Sequence, residues 1–243
     1  MTHVPPRTAL ITGASRGLGF ALASELLARG WTLVIDARDG ARLDAARWDL
    51  SRQGRVVAIA GNVNDHAHRV ALTRAVEDLG GLDALVNNAG ALGPSPLPSL
   101  LTYPLQALEE VYRTNVLAPL ALVQALQPLL RPGARILNIT SDAAIEPYDG
   151  WGGYGSSKAA LEQLSNVLAA ENPQWSVYWV DPGDMRTEMH QCAFPGEDIS
   201  DRPLPEESVP GLVRLLEEAL PSGRYRAREI SSLVSKSATA GVL

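Results

Sequence analysis

Thr8-Ala-Leu-Ile-Thr-Gly-Ala-Ser-Arg-Gly-Leu-Gly19 is the stretch that decides the fold. The apolar run 8–12 ends in Gly13, and over 17–29 the residues Leu18, Ala21, Leu22, Leu26 and Leu27 recur at helical spacing until Gly30 stops them. The segment therefore reads as strand, glycine-rich turn and helix. Glycines at 13, 17 and 19 let backbone amides and a helix N-terminus approach a pyrophosphate. Their spacing, T-G-x-x-x-G-x-G, is not the common G-x-G-x-x-G, so the placement of the turn between strand and helix carries as much weight as the glycines.

The alternation continues along the chain. Further strands are expected at 32–37, 56–60, 84–87, 134–140 and 176–180, with a short seventh near Arg226. Helices are expected over 41–51, 65–79, 105–130, 152–172 and 206–220, and a Pro-rich loop at 90–99. Each strand reads as fully apolar. Apolar strands separated by helices imply a parallel sheet covered on both faces, a doubly wound Rossmann-type α/β architecture. The 243 residues, 46% apolar and 20% charged, suit one domain with one core.

Composition also narrows the partners. A net charge of -6, with scattered basic residues, argues against nucleic acid. One cysteine, Cys192, cannot form an intramolecular disulfide, and no Cys/His spacing suits a metal, which fits a reducing compartment. Residues 1–7 are too short and polar for a signal peptide, and no apolar run reaches membrane-span length. A cytoplasmic protein without a membrane partner is expected.

The second informative stretch is Tyr154-Gly-Ser-Ser-Lys158, 13 residues after Ser141. Residues four apart share a helix face, so an ammonium stands beside a phenol. A fixed positive charge there lowers the phenol pKa from about 10 and lets it exchange protons with a substrate oxygen. Alone the spacing is common on surface helices; beside a nucleotide turn it points to hydride chemistry.

Together these motifs resemble the short-chain dehydrogenase/reductase family over roughly residues 8–230. The resemblance implies a tetrad of Asn115, Ser141, Tyr154 and Lys158. Tyr154 would protonate a carbonyl oxygen as hydride arrives, and Ser141 would hydrogen-bond that oxygen. Lys158 would bind the nicotinamide ribose and depress the tyrosine pKa, while Asn115 would hold a water linking the lysine to solvent. It implies too that Gly13, Ser15, Arg16, Gly17, Leu18 and Gly19 border the phosphates of a dinucleotide. Asn62 and Val63 would lie against adenine where the family usually has Asp-Val. In Asn87-Asn-Ala-Gly90, the residues Asn88, Ala89 and Gly90 would bound the cofactor. In Pro182-Gly-Asp-Met-Arg-Thr187, matching P-G-x-x-x-T, the residues Pro182, Gly183, Met185 and Thr187 would hold the nicotinamide carboxamide, with transfer of the pro-S hydride.

Cofactor choice turns on charge after the second strand. The family's NAD-selecting acid would fall on Ala37; Asp36 lies one residue early, on the opposite face of a strand. Arg38 and Arg16 resemble the basic pair that holds the 2′-phosphate in members preferring NADPH, so NADPH is expected over NADH.

Over 188–205, Met189, His190, Phe194 and two prolines follow no period, which suggests a substrate flap. Leu92, Tyr148, Trp151 and Met185 border the catalytic motifs and suggest an apolar pocket for hydrophobic ketones, aldehydes or diketones. The run 142–158 resembles carbonyl reductases of the sepiapterin- and benzil-reductase kind. Family members commonly assemble as homodimers or homotetramers through the helix of the tyrosine, where Ala159, Ala160 and Leu161 permit close packing. Two other readings stay open: an NAD-dependent alcohol dehydrogenase, encouraged by Asp36, and a non-catalytic dinucleotide sensor.

Overall fold

Successive apolar residues in these strands are explained by helices on both faces of the sheet. The computed structural model describes residues 6–230. Strands β1 (Thr8–Ile11), β2 (Thr32–Ala37), β3 (Val56–Ala60), β4 (Leu82–Asn87), β5 (Leu130–Ile139), β6 (Ser176–Asp181) and β7 (Gly223–Arg226) form one sheet. Its order is β3-β2-β1-β4-β5-β6-β7, and every pairing is parallel. The helices are α1 (Gly17–Ala28), α2 (Gly40–Leu50), α3 (His66–Asp78), α4 (Leu105–Tyr112), α5 (Ala118–Leu126), α6 (Gly152–Glu171), α7 (Glu188–Ala193), α8 (Val209–Glu217) and α9 (Ala227–Ile230).

Alternate strand residues enter different cores. Ile11, Leu33 and Ile35 join Leu22 and Leu26 of α1 and Leu212 and Leu216 of α8. Leu10 and Val34 join Leu72 and Val76 of α3 and Leu122 and Leu126 of α5. The chain winds outward from β1 to β3 and then returns to start β4 on the other side of β1. This reversal opens a crevice at the strand C-termini, where such sheets bind ligands.

The strands fall where the apolar runs placed them, with refinements. Edge strand β3 is only half-buried, and β2 and β4 carry carboxylates, Asp36 and Asp83, so the strands are not uniformly apolar. The helix expected over 105–130 is interrupted by a π turn at Arg113–Leu117 and closes in a 3₁₀ turn at Gln127–Leu129. Prolines account for both changes. Pro119 cannot donate to the carbonyl of Asn115, and Pro128 ends the regular pattern. Pro210 stands in the first turn of α8, which spans 209–217 rather than 206–220. The segment 188–205 starts with the short helix α7, whose N-cap Thr187 accepts from the amide of His190 at 3.2 Å. Leu161 is buried within the chain, leaving Ala159 and Ala160 partly exposed on α6.

Candidate active site

Strand C-termini deliver the predicted residues to one cleft of about 1210 Å³. It is lined by Gly13, Ser15, Arg16, Gly17 and Leu18 after β1, Arg38 after β2, and Asn62 and Val63 after β3. Asn88, Ala89 and Gly90 follow β4, Ser141 follows β5, Tyr154 and Lys158 come from α6, and Pro182, Gly183, Met185 and Thr187 follow β6. Gly19 and Asn115 stand behind this lining and shape it.

The glycine turn is a cradle fixed from beneath. Gly13 takes φ +66, and a Cβ there would lie 2.9 Å from Cα of Ala89. On Gly19 a Cβ would lie 2.5 Å from Nδ2 of Asn88, whose amide donates to the carbonyls of Thr12 and Gly13 at 2.8 and 3.1 Å. The Thr12 hydroxyl accepts from the amides of Asn88 and Ala89, both at 3.0 Å. Arg16, at the N-cap of α1, makes no side-chain cap. The first amides of α1 thus point into the cleft uncapped, a setting for a phosphate. With Arg16, Arg38 and Arg42 on the rim, the donor set suits a phosphorylated dinucleotide.

Asp36 is fully buried, and both its oxygens are engaged. Oδ1 accepts from the amide of Gly13 at 2.8 Å, and Oδ2 meets Nε2 of His68 on α3 at 2.9 Å. A carboxylate only accepts, so His68 carries a proton on Nε2. The strand parity expected from sequence is what sends Asp36 toward α3. This carboxylate therefore props up the glycine turn and, fully buried beneath it, presents no surface to a ribose.

Across the cleft, Tyr154 and Lys158 lie one helical turn apart, with Nζ 5.4 Å from the ring centroid. The phenol ring is buried, and its hydroxyl has no hydrogen-bond partner among the described residues. Gly155 sets how closely α6 approaches the turn after β5, since a Cβ there would lie 2.4 Å from the carbonyl oxygen of Ala143. Arg224 of β7 ties this turn to α6: it binds the Glu162 carboxylate at 3.0 and 3.1 Å and the carbonyl of Ser141 at 3.3 Å.

Three expectations change here. The pKa of Tyr154 is raised above its ordinary value rather than depressed, by burial first and then by Asp181 and Asp142. Burial instead lowers Lys158 to about 8, against a smaller opposing effect of Glu162, while Nζ donates to the Ile139 carbonyl at 2.7 Å. Ser141 donates to Oδ1 of Asp142 at 2.9 Å, rather than standing free beside Tyr154. The Asn115 side chain is likewise occupied: Nδ2 donates to the carbonyl of Ala91 and to Oγ of Ser157, both at 2.9 Å, and Oδ1 accepts from the Ala91 amide at 2.8 Å. It joins the loop after β4 to α6, so any water it held would have to use its backbone carbonyl.

Beyond Tyr154 the cleft is aromatic. Trp151 meets the rings of Tyr154 and Phe194 at 5.8 and 6.0 Å, Tyr148 meets Trp151 at 6.3 Å, and His190 meets Phe194 at 4.9 Å. Leu92, Met185 and Met189 also line it. Sequence reading missed Asp142, which binds both Ser141 and the Tyr148 hydroxyl, the latter at 2.9 Å. It also missed Arg42 and Glu188, which pair across the cleft. Adjacency to Ser141 was a signal for Asp142; nothing in the local pattern marked the other two.

This fold and cleft define a nucleotide-dependent oxidoreductase, and the chain belongs to the short-chain dehydrogenase/reductase family, whose short chain dehydrogenase model matches residues 7–198. It is 39% identical over 173 residues to the rhamnolipids biosynthesis 3-oxoacyl-[acyl-carrier-protein] reductase of Pseudomonas aeruginosa, covering 68% of this chain and 66% of that protein. It is 35% identical over 199 residues to the sepiapterin reductase of Meriones unguiculatus, covering 76% of each. Among solved structures, the Pseudomonas aeruginosa RhlG/NADP active-site complex superposes with a TM-score of 0.81 at 31% identity, over 90% of this chain and 94% of that one.

Among the described residues, no group of His, Cys, Asp and Glu could hold a metal ion, and no helix is long and apolar enough to cross a membrane.

Proposed function

We propose that the protein is an NADPH-dependent reductase acting on the carbonyl of a small hydrophobic ketone, aldehyde or diketone, with Tyr154 as the proton donor. The observation that carries this reading is the placement of Tyr154: a buried phenol at the cleft wall, one helical turn from the Lys158 ammonium, with a hydroxyl that has no partner among the described residues. A protonated phenol is an acid, which reduction needs; oxidation needs the phenolate as base. The NAD-dependent alternative loses its encouragement because Asp36 is fully buried and directed to His68 on α3 rather than toward the cleft.

The bound cofactor would supply the hydride. Residues of this chain would do the rest. The glycine turn and the uncapped start of α1 hold the pyrophosphate, and Arg16 and Arg38 hold the 2′-phosphate. NADP in the RhlG complex supports that assignment. As Tyr154 gives its proton to the substrate oxygen, charge develops on a buried phenol, and the Lys158 ammonium offsets it. Ser141 turns its hydroxyl from Asp142 to the same oxygen. Residues 188–205 cover the substrate, and Tyr148, Trp151 and Phe194 give it an apolar wall. The cytoplasm remains the proposed location, and a homodimer or homotetramer the proposed assembly.

The test is NADPH oxidation, followed by nicotinamide absorbance, against aldehydes, ketones, 1,2-diketones and pterins. Turnover with one class, and kcat/KM for NADPH above that for NADH, is expected; tight NADPH binding with no turnover on any class would favour the sensor.

A pH prediction follows from Lys158. Its folded pKa of about 8 lies below the ordinary 10.5, so the ammonium is present below pH 8 and lost above it. kcat/KM should therefore fall about tenfold per unit above pH 8. In Lys158→Arg, whose cation does not titrate in this range, residual activity should lack that break.

A further inference from the structure

Arg16, assigned above to the 2′-phosphate, is already engaged by a carboxylate of this chain. Glu188, at the start of α7, forms an ion pair with Arg16 of the glycine turn. The same carboxylate receives Nη1 of Arg42 on both oxygens at 3.1 Å, so it bridges two cations from two elements. Arg42 is also paired with Asp39, the N-cap of α2, at 3.3 Å. Arg38 is exposed and makes no ion pair among the described residues. Three guanidinium groups therefore surround one end of the cleft, and the flap fills part of their demand with a single negative charge.

We infer that Glu188 is a specificity-determining residue: its carboxylate stands in for the 2′-phosphate on Arg16 and Arg42, and NADPH must displace it whereas NADH need not. Arg42 becomes, with Arg16 and Arg38, the third cation of the phosphate site. The inference rests on the NADPH reading proposed above. Each partner is about half exposed, with side chains 52% and 60% accessible, so these pairs are individually weak. A phosphate dianion with three acceptor oxygens outcompetes one carboxylate for the same forks. Glu188 thus lowers affinity for the phosphorylated cofactor without adding any contact that NADH would use.

The experiment is calorimetric titration of the purified protein, Glu188→Gln and Arg42→Ala with NADPH, NADH and adenosine 2′,5′-bisphosphate, which carries the phosphate but no nicotinamide. Glu188→Gln should tighten NADPH and the bisphosphate by about threefold to tenfold and move NADH by less than about twofold. Arg42→Ala should weaken the same two ligands by a similar factor. Thermal melts close to the parent would establish that both exposed substitutions leave the fold intact. Unchanged or weaker NADPH binding by Glu188→Gln overturns the inference, because a strap holding the cofactor down gives that result. Equal tightening of NADPH and NADH overturns it too, since the effect would then be general electrostatics. Tighter binding of NADH than NADPH by the unaltered protein overturns instead the cofactor reading beneath it, which is a separate comparison.

Discussion

Tyr154→Phe should lower kcat/KM for carbonyl reduction by about 10²–10⁴-fold while leaving the dissociation constant for NADPH nearly unchanged. The substitution removes one oxygen and keeps the ring that packs against Trp151. Because that hydroxyl has no partner among the described residues, its loss breaks no fold contact, and the melting temperature should stay near the parent value. Steady-state kinetics and fluorescence titration of the nicotinamide check the two halves. Retained turnover would sink the role given to Tyr154. Loss of cofactor binding would mean that the tyrosine positions the dinucleotide, a different function for the same residue.

The largest expected loss of stability follows from Asp36→Ala. It leaves the Gly13 amide and His68 Nε2 without their shared acceptor inside the protein. Leaving a buried donor without an acceptor costs about 1–3 kcal/mol, and two such donors make a large part of the roughly 5–15 kcal/mol that holds a domain folded. The melting temperature should fall by about 10 °C, and NADPH binding should weaken because the glycine turn loses its prop. Asp36→Asn keeps one acceptor oxygen for Gly13 and should cost less. Differential scanning calorimetry with cofactor titration tests both effects; an unchanged melt would show that the turn is held by Asn88 and Thr12 alone.

The contrast between these residues shows what the sequence makes legible. The glycine turn, Tyr154 and Lys158 announce themselves because local spacing encodes their geometry: a strand must end, a helix must begin, and four residues make one turn. Strand parity puts Asp36 on the face opposite Ala37, and it lies there, against α3. Its partner His68 is 32 residues away on another element, and no local pattern joins them. Glu188 and Arg42 are 146 residues apart and meet only in the folded chain, one at the start of α7 and the other on α2. Proton affinities were illegible for a related reason. Charge pairing alone lowers the pKa of Tyr154, but burial and two carboxylates reverse the sign, and burial emerges only from packing. The break in the long helix was within reach, since Pro119 and Pro128 stand in the sequence and helix interiors do not tolerate them.

The hold of Arg224 on Glu162 and the Ser141 carbonyl bears on how the enzyme matures. Synthesis delivers the N-terminal residues first. Every predicted nucleotide contact up to Gly90 leaves the ribosome well over a hundred residues before Arg224 does. The Ser141 turn, like the 182–187 loop whose Asp184 carbonyl accepts from Arg228, is therefore secured late. A nascent chain, or one cut short before β7, should acquire affinity for the dinucleotide ahead of competence in proton transfer, so binding and turnover would mark two successive stages in the birth of one molecule.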